Sequence, residues 1–131
     1  MNAIVDFIKQ QEDYVCLGHA SHNEIEFAES QLNLRFSEEY EAYTAALGVT
    51  SFGSHELTGI CNIPRLNVVD VTNEARKFNT VPFTWYVIEA TNIDGILIWQ
   101  DQVGNVYQTA PGSTSTKIAS SMLEYLSDTQ A

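Results

Sequence analysis

Three histidines, two cysteines and a few carboxylates are the residues of this chain whose types could do chemistry. His19 and His22 lie close together, but a break at Gly18 and a helix cap lie between or upon them. No HExxH, CxxC or CxH array accompanies them, so surface histidines are the simpler account and no metal is expected. His55 and Cys61 flank a predicted strand and suggest a thiol–imidazole pair. In an extended segment, however, residues so spaced share a face and stand too far apart to touch without a bend. Cys61 therefore reads as an inert thiol, and with Cys16 it fits a reduced, cytosolic chain, a disulfide being the alternative that nothing in the sequence asks for. Glu89, Asp94 and Asp101 lie in or beside the turns of a strand-rich stretch. A glycosidase needs two carboxylates facing each other across a cleft, and position along the chain does not establish such a pair. Asp94 has a sufficient turn role and Asp101 opens a loop. Glu89 ends a hydrophobic strand, so its surroundings are the unusual ones. No nucleophile elbow, P-loop or dinucleotide-binding glycine fingerprint is present. No catalytic residue and no cofactor is expected.

Charge is more informative. Seventeen Asp and Glu oppose six Lys and Arg, a formal charge of −11 over 131 residues. Phosphate contacts need cations to displace counterions, so nucleic acid and anionic membranes are poor partners. A basic protein is a good one, since complementary charge speeds its encounter. Between Glu24 and Glu41 six glutamates face only Arg35. Solvated helix faces would explain them, but Glu24, Glu26, Glu38, Glu39 and Glu41 also form the first candidate partner-binding patch. Glu56, Asp94 and Asp101 form the second. Trp99 would serve as an aromatic anchor if exposed, although core packing is the plainer role.

The elements that must carry these residues follow from pattern. Hydrophobic content of 44% and 18% charged residues suit a folded chain, expected to be one domain over residues 1–131. Neither a signal peptide nor an apolar run long enough to span a bilayer is visible, so a cytoplasmic location is expected. Ile4, Phe7 and Ile8 predict a helix over Ala3–Gln11. Ser21 and Glu24 form a capping box for a second helix with Ile25, Ala28 and Leu32 inward. Ser37 caps a third over Glu38–Leu47, ended by Gly48 as a left-handed residue. Thr50–Ser54 reads as loop, Leu57–Ile60 as a short strand, and Asn67 opens a helix to about Phe78 with Val68, Val71 and Ala75 inward. Phe83–Gln108 reads as two or three antiparallel strands turning at Asn92-Ile93-Asp94-Gly95. Both faces of its first run are apolar, which predicts a strand at the centre of its sheet. A closing helix is expected over Ser115–Leu126.

In order and spacing, IEFAESQLNLRFSEEYEAYTAALG, then LTGI and VVDVTNEAR, resemble the SUKH superfamily, the Smi/Knr-like group that includes fungal cell-wall regulators and bacterial immunity proteins. Leu32, Phe36, Tyr40, Gly48, Leu57 and Gly59 stand at its characteristic positions. Val87-Ile88 and Asp94-Gly95 match its later strand and turn, and Ile118-Ala119-Ser120-Ser121 the start of its closing helix. Ser37 replaces the usual proline, and the usual glycine run is reduced to Gly48 and Gly53. The resemblance implies an α+β fold, a mainly antiparallel sheet with a β-meander covered by four to five helices. It implies no catalysis and no cofactor. The function it implies is that of an immunity protein, an antitoxin that neutralises a cognate toxin domain, with a basic nuclease as the partner. The alternative is an intracellular scaffold or regulatory module of the Smi/Knr type.

Overall fold

A computed structural model describes residues 3–128 of the chain. Two serines mount its helical hairpin. Ser21 Oγ accepts from Glu24 N at 3.1 Å while Glu24 Oε1 accepts from Ser21 N at 2.8 Å, the predicted capping box. It opens α2 (His22–Leu32), which ends at Asn33 in the left-handed conformation, φ 55° and ψ 47°. Ser37 Oγ accepts from Tyr40 N at 3.0 Å and opens α3 (Glu38–Leu47). Gly48 has the expected positive φ of 70°, but its ψ of −78° is not left-handed helical. The chain crosses here: Gly48 O accepts from Ile60 N at 3.1 Å, which turns the carbonyl away from a helical continuation. The first helix, α1 (Ala3–Lys9), stops before the expected Gln11, whose side chain closes the last turn by donating to Phe7 O at 2.9 Å. In α4 (Val68–Arg76), Asn67 Oδ1 accepts from Val69 N at 2.9 Å, as its capping role predicts.

Among the described residues the strands form two antiparallel sheets. β1 (Val15–Cys16), β2 (Thr50–Phe52) and β3 (His55–Glu56) make the smaller. Sequence pattern places Thr50–Ser54 in a loop and the strand at Leu57–Ile60. Instead Thr50–Phe52 is paired, the strand comes earlier, and Leu57 and Gly59 form single bridges to Glu89 and Asn67. Strands this short show no period, and only their partners define them.

The larger sheet is a meander of β4 (Tyr86–Ala90), β5 (Leu97–Gln100), β6 (Val106–Thr109) and β7 (Thr116–Ala119), in that order. The first three strands and the turn match expectation; Asn92, Asp94 and Gly95 all have positive φ, as a tight reversal needs. The fourth corrects the reading of Ser115–Leu126 as one helix. Thr116–Ala119 pairs with the free edge of β6, and helix α5 (Met122–Asp128) begins only after Ser121, whose Oγ accepts from Glu124 N at 2.9 Å. Available strand edges override helical spacing when a segment contains Thr and Ile.

β4 is also an edge strand rather than a central one. Its apolar faces are buried because neighbouring elements seal that edge with backbone and side-chain bonds. Thr58 donates from its backbone to Ile88 O at 2.9 Å and from Oγ1 to Val87 O at 2.8 Å. Thr72 Oγ1 of α4 accepts from Val87 N at 3.0 Å. One sheet face, with Tyr86, Ile88, Ile98 and Val106, packs with Ile4, Ile8, Leu32, Tyr40, Leu47 and Leu126 in the main core. The other, with Trp85, Val87 and Trp99, packs under Ala75 of α4. Trp99 is fully buried and donates Nε1–H to Thr109 Oγ1 at 2.9 Å, so it belongs to the core and not to a contact surface.

The tightest crossing predicts a measurable cost. A Cβ on Gly59 would stand 2.0 Å from Gly48 O and 2.8 Å from Val49 Cα, both backbone atoms with nowhere to go. Gly59→Ala is expected to destabilise the fold by about 3 kcal/mol, the upper range for overpacking. The check is a lower urea midpoint at unchanged slope.

Candidate functional site

The acidic candidates separate once each carboxylate is followed to its partners. Glu39 is half-buried and points inward. Its Oε1 accepts from Met122 N at 2.6 Å and Gln100 Nε2 at 3.0 Å, and its Oε2 from Leu123 N at 2.9 Å. It thus satisfies orphan amides at the start of α5, where a negative charge also suits the helix dipole. Asp101 closes the β5–β6 loop. Its Oδ1 accepts from the backbone N–H of Val103, Gly104 and Asn105, and its Oδ2 from the Tyr107 hydroxyl at 2.8 Å. Burial pushes the Asp101 carboxyl up, but the Tyr107 and Asn105 side chains and the loop amides together hold it below the usual carboxylate range.

These two acids build the walls of a groove of about 640 Å³. Glu38, Glu39 and Glu41 line it from α3, Arg35 and Phe36 from the link before α3, Val103 from the loop held by Asp101, and Ser120 and Ser121 from the junction before α5. Val103 is 86% exposed at the groove's lip. Arg35 also borders a shallower recess with Glu26 and Glu29 of α2. The acidic face therefore spans both helices of the hairpin around one arginine. Glu29, outside the candidate patch, joins it: its Oε2 accepts from Phe36 N at 2.9 Å. Its place follows from the fold of the hairpin, which no local motif announces. Burial first, then the hydrogen bond and charge of Glu29 with some repulsion from Glu38, push the Glu41 carboxyl up to about 7, against the pull of Arg35.

The remaining candidates lie elsewhere. Glu24 is engaged in its capping box beside a cleft between α2 and α4. Glu56 pairs with Arg65 at 2.6 Å. Asp94 sits in the β4–β5 turn and Asp101 beyond the far end of β5, so the strand's length separates them and the second candidate surface is not continuous.

Glu89 has the unusual surroundings its sequence position suggested. At 3% exposure it accepts from His55 Nδ1 at 3.0 Å, Glu56 N at 2.9 Å and the Tyr125 hydroxyl at 2.5 Å. The cluster joins β3, β4 and α5 and is closed to solvent. Buried polar groups paired so fully rigidify a core. Cys61 stands apart from it, half-buried with Sγ directed at Ile63 O. Among the described residues no three His, Cys, Asp or Glu side chains are grouped to hold a metal ion, and no helix is long and apolar enough to cross a membrane.

The family model described as SMI1-KNR4 cell-wall, SUKH_5, matches residues 1–130. The chain belongs to this family. The α+β architecture agrees with a crystal structure of a protein from Pseudomonas syringae pv. tomato, with a TM-score of 0.76 over 95% of this chain and 94% of that one. At 13% identity that likeness concerns the fold alone. No curated protein matches the chain. The resemblance read from Leu32, Tyr40, Leu57 and Gly59 thus identifies the SUKH family correctly, and the match extends it toward both termini.

Glu41 makes the acidic face sensitive to pH. Its carboxyl rises from 4.5 to about 7 on folding, so between those values the folded chain holds the proton that the unfolded chain has released. Its contribution to stability is present at low pH and lost as pH rises through that window. Glu41→Gln is expected to flatten this part of the profile and to raise the urea midpoint at pH 7.5 relative to the parent. A profile of unchanged slope in Glu41→Gln would exclude Glu41 as its source.

Proposed function

We propose that this protein is a non-enzymatic immunity protein, acting as one cytoplasmic domain, that binds and neutralises a cognate toxin domain through its acidic groove. A basic nuclease is the partner class the charge favours. The observation that carries the reading is the clustering of Glu26, Glu29, Glu38 and Glu41 around the single cation Arg35, in a chain of net charge −11. Such a face accelerates the approach of a basic protein and repels nucleic acid, so it competes for the surface that a nuclease offers its substrate. Family membership supports a binding role. The absence of a catalytic step in this proposal is supported by the closed Glu89–His55–Tyr125 cluster, whose hydrogen bonds are spent on joining elements.

A second reading, a scaffold or regulatory module of the Smi/Knr type, is favoured by the cell-wall description of the matching family. It differs in needing no toxin. Pull-down of the tagged protein from its native cells, with co-purifying chains identified by mass spectrometry, separates the two. A toxin domain supports immunity; housekeeping proteins alone, under conditions where nearby toxin genes are expressed, support the scaffold.

With the partner in hand, the double variant Glu26→Lys with Glu38→Lys tests the surface. Both side chains are exposed, so thermal stability should hold. Association should slow by about tenfold or more, and its salt dependence should shrink, as for charges that steer an encounter. Parental association kinetics would rule out this face as the contact.

A further inference from the structure

The far flank of α2 carries chemistry that the acidic groove does not use. Glu26 and Glu29 border the Arg35 recess, whereas Glu24, Phe27 and Ala28, at helical spacing, border the opposite side. There they line a cleft of about 480 Å³ between α2 and α4. Ile60 and Val69 complete its apolar walls, and Asp70 stands on the α4 side. Phe27 is 65% exposed, on a helix whose start is fixed by the capping box and whose inner face is buried. The cleft thus joins aliphatic walls, an accessible aromatic ring and two carboxylates.

Its charge is one-sided. No Lys or Arg lines the cleft, and among the described residues neither Glu24 nor Asp70 forms an ion pair. Arg65, beyond Asp70, is taken by Glu56 at 2.6 Å, so that pair adds no net charge. The hydrogen bonds of Ser21 first, and the pull of His19 last, hold the Glu24 carboxyl below its ordinary value, so it is ionised at neutral pH. Both acids sit in the first turns of their helices, where each dipole offsets about half a charge, and the cleft stays negative. A purely apolar occupant would cover these carboxylates without pairing them, and an acidic one would be repelled. A second copy would bring together two bodies of charge −11. A long aliphatic stem ending in a cation meets every condition, its methylenes on Ile60 and Val69, its head beside the carboxylates and the Phe27 ring. We propose that the cleft docks a lysine or arginine side chain of a partner protein, held by Phe27, Glu24 and Asp70. The inference rests on the basic-partner part of the proposed function, adds a point of contact on the other flank of α2, and needs no toxin.

The test uses the full chain, isotope-labelled, titrated with a short blocked peptide that carries lysine between leucines. A counterpart with norleucine for lysine removes the charge alone, and n-butylamine supplies the same stem and head without a chain. With the lysine peptide, amide shift changes should appear at Phe27, Ile60, Val69 and Asp70. Phe27→Ala, at an exposed position, should keep the parental melting temperature and weaken the peptide by about fivefold, the loss expected of an exposed cation–π contact. Asp70→Asn should weaken it and reduce its salt dependence, whereas Glu38→Lys in the acidic groove should leave the cleft shifts unchanged. Shifts confined to the groove around Glu38 and Glu41 would overturn the proposal and leave the acidic-face reading standing. Absent binding, equal affinity for the norleucine peptide, or parental affinity in both variants would also overturn it. So would n-butylamine binding as tightly as the peptide, since a free amine would then be the occupant, or self-association that Phe27→Ala abolishes, since a second copy would be.

Discussion

Gln100 is the side chain through which the acidic groove is held together. It is fully buried at the end of β5, where an unpaired amide would be costly. Its oxygen accepts from the Tyr86 hydroxyl at 2.9 Å and Ser37 Oγ at 3.1 Å, and its nitrogen donates to Glu39 Oε1 and to Gly104 O, each at 3.0 Å. Those partners are the neighbouring strand, the N-cap of α3, the residue that caps α5, and the β5–β6 loop. One amide with all its capacity used therefore sets the positions of three groove walls relative to the sheet. Tyr86 adds to this by accepting from Ser37 N at 2.9 Å, so the start of α3 is tied to β4 as well.

The same constraint sorts the acids. A protein of this charge has carboxylates to spare, and the fold employs several as caps and loop closures. Glu39 and Asp101 are taken up by backbone amides, Glu24 by its capping box, and Glu89 by a buried imidazole and phenol. Glu26 and Glu38 stay exposed, and Glu29 and Glu41 crowd each other beside Arg35. Acids that serve the fold thus hold the frame on which the remaining, solvent-facing acids are displayed.

The edge of β4 follows a related logic. Two apolar faces in sequence are consistent with a central strand, yet an edge strand is buried equally well once other elements take up its free amides and carbonyls. Thr58 and Thr72 do so from a loop and a helix. The smaller sheet is thereby joined to the larger through side-chain bonds and a single bridge, Leu57 to Glu89, with the Glu89 cluster directly behind it.

Sequence alone determined the features whose causes are local. Ser21, Ser37 and Asn67 cap helices because a side-chain oxygen reaches amides two or three residues on, and the Asn92–Gly95 reversal follows from residues that tolerate positive φ. The order of these signals was enough to place the chain in the SUKH family, and the glutamate excess was enough to mark an acidic face. What only tertiary structure decided depends on residues distant in the chain. Thr116–Ala119 became a strand because β6 offered an edge, and Thr50–Phe52 because β1 and β3 flanked it. Glu39 turned inward because α5 presented unpaired amides more than eighty residues away. Glu29 and Glu41 met because the hairpin folds them together, and Phe78 stayed in water because no described element covers it. Propensity and capping act within a few residues, whereas burial, edge pairing and charge proximity are set by which segments the folded chain brings into contact.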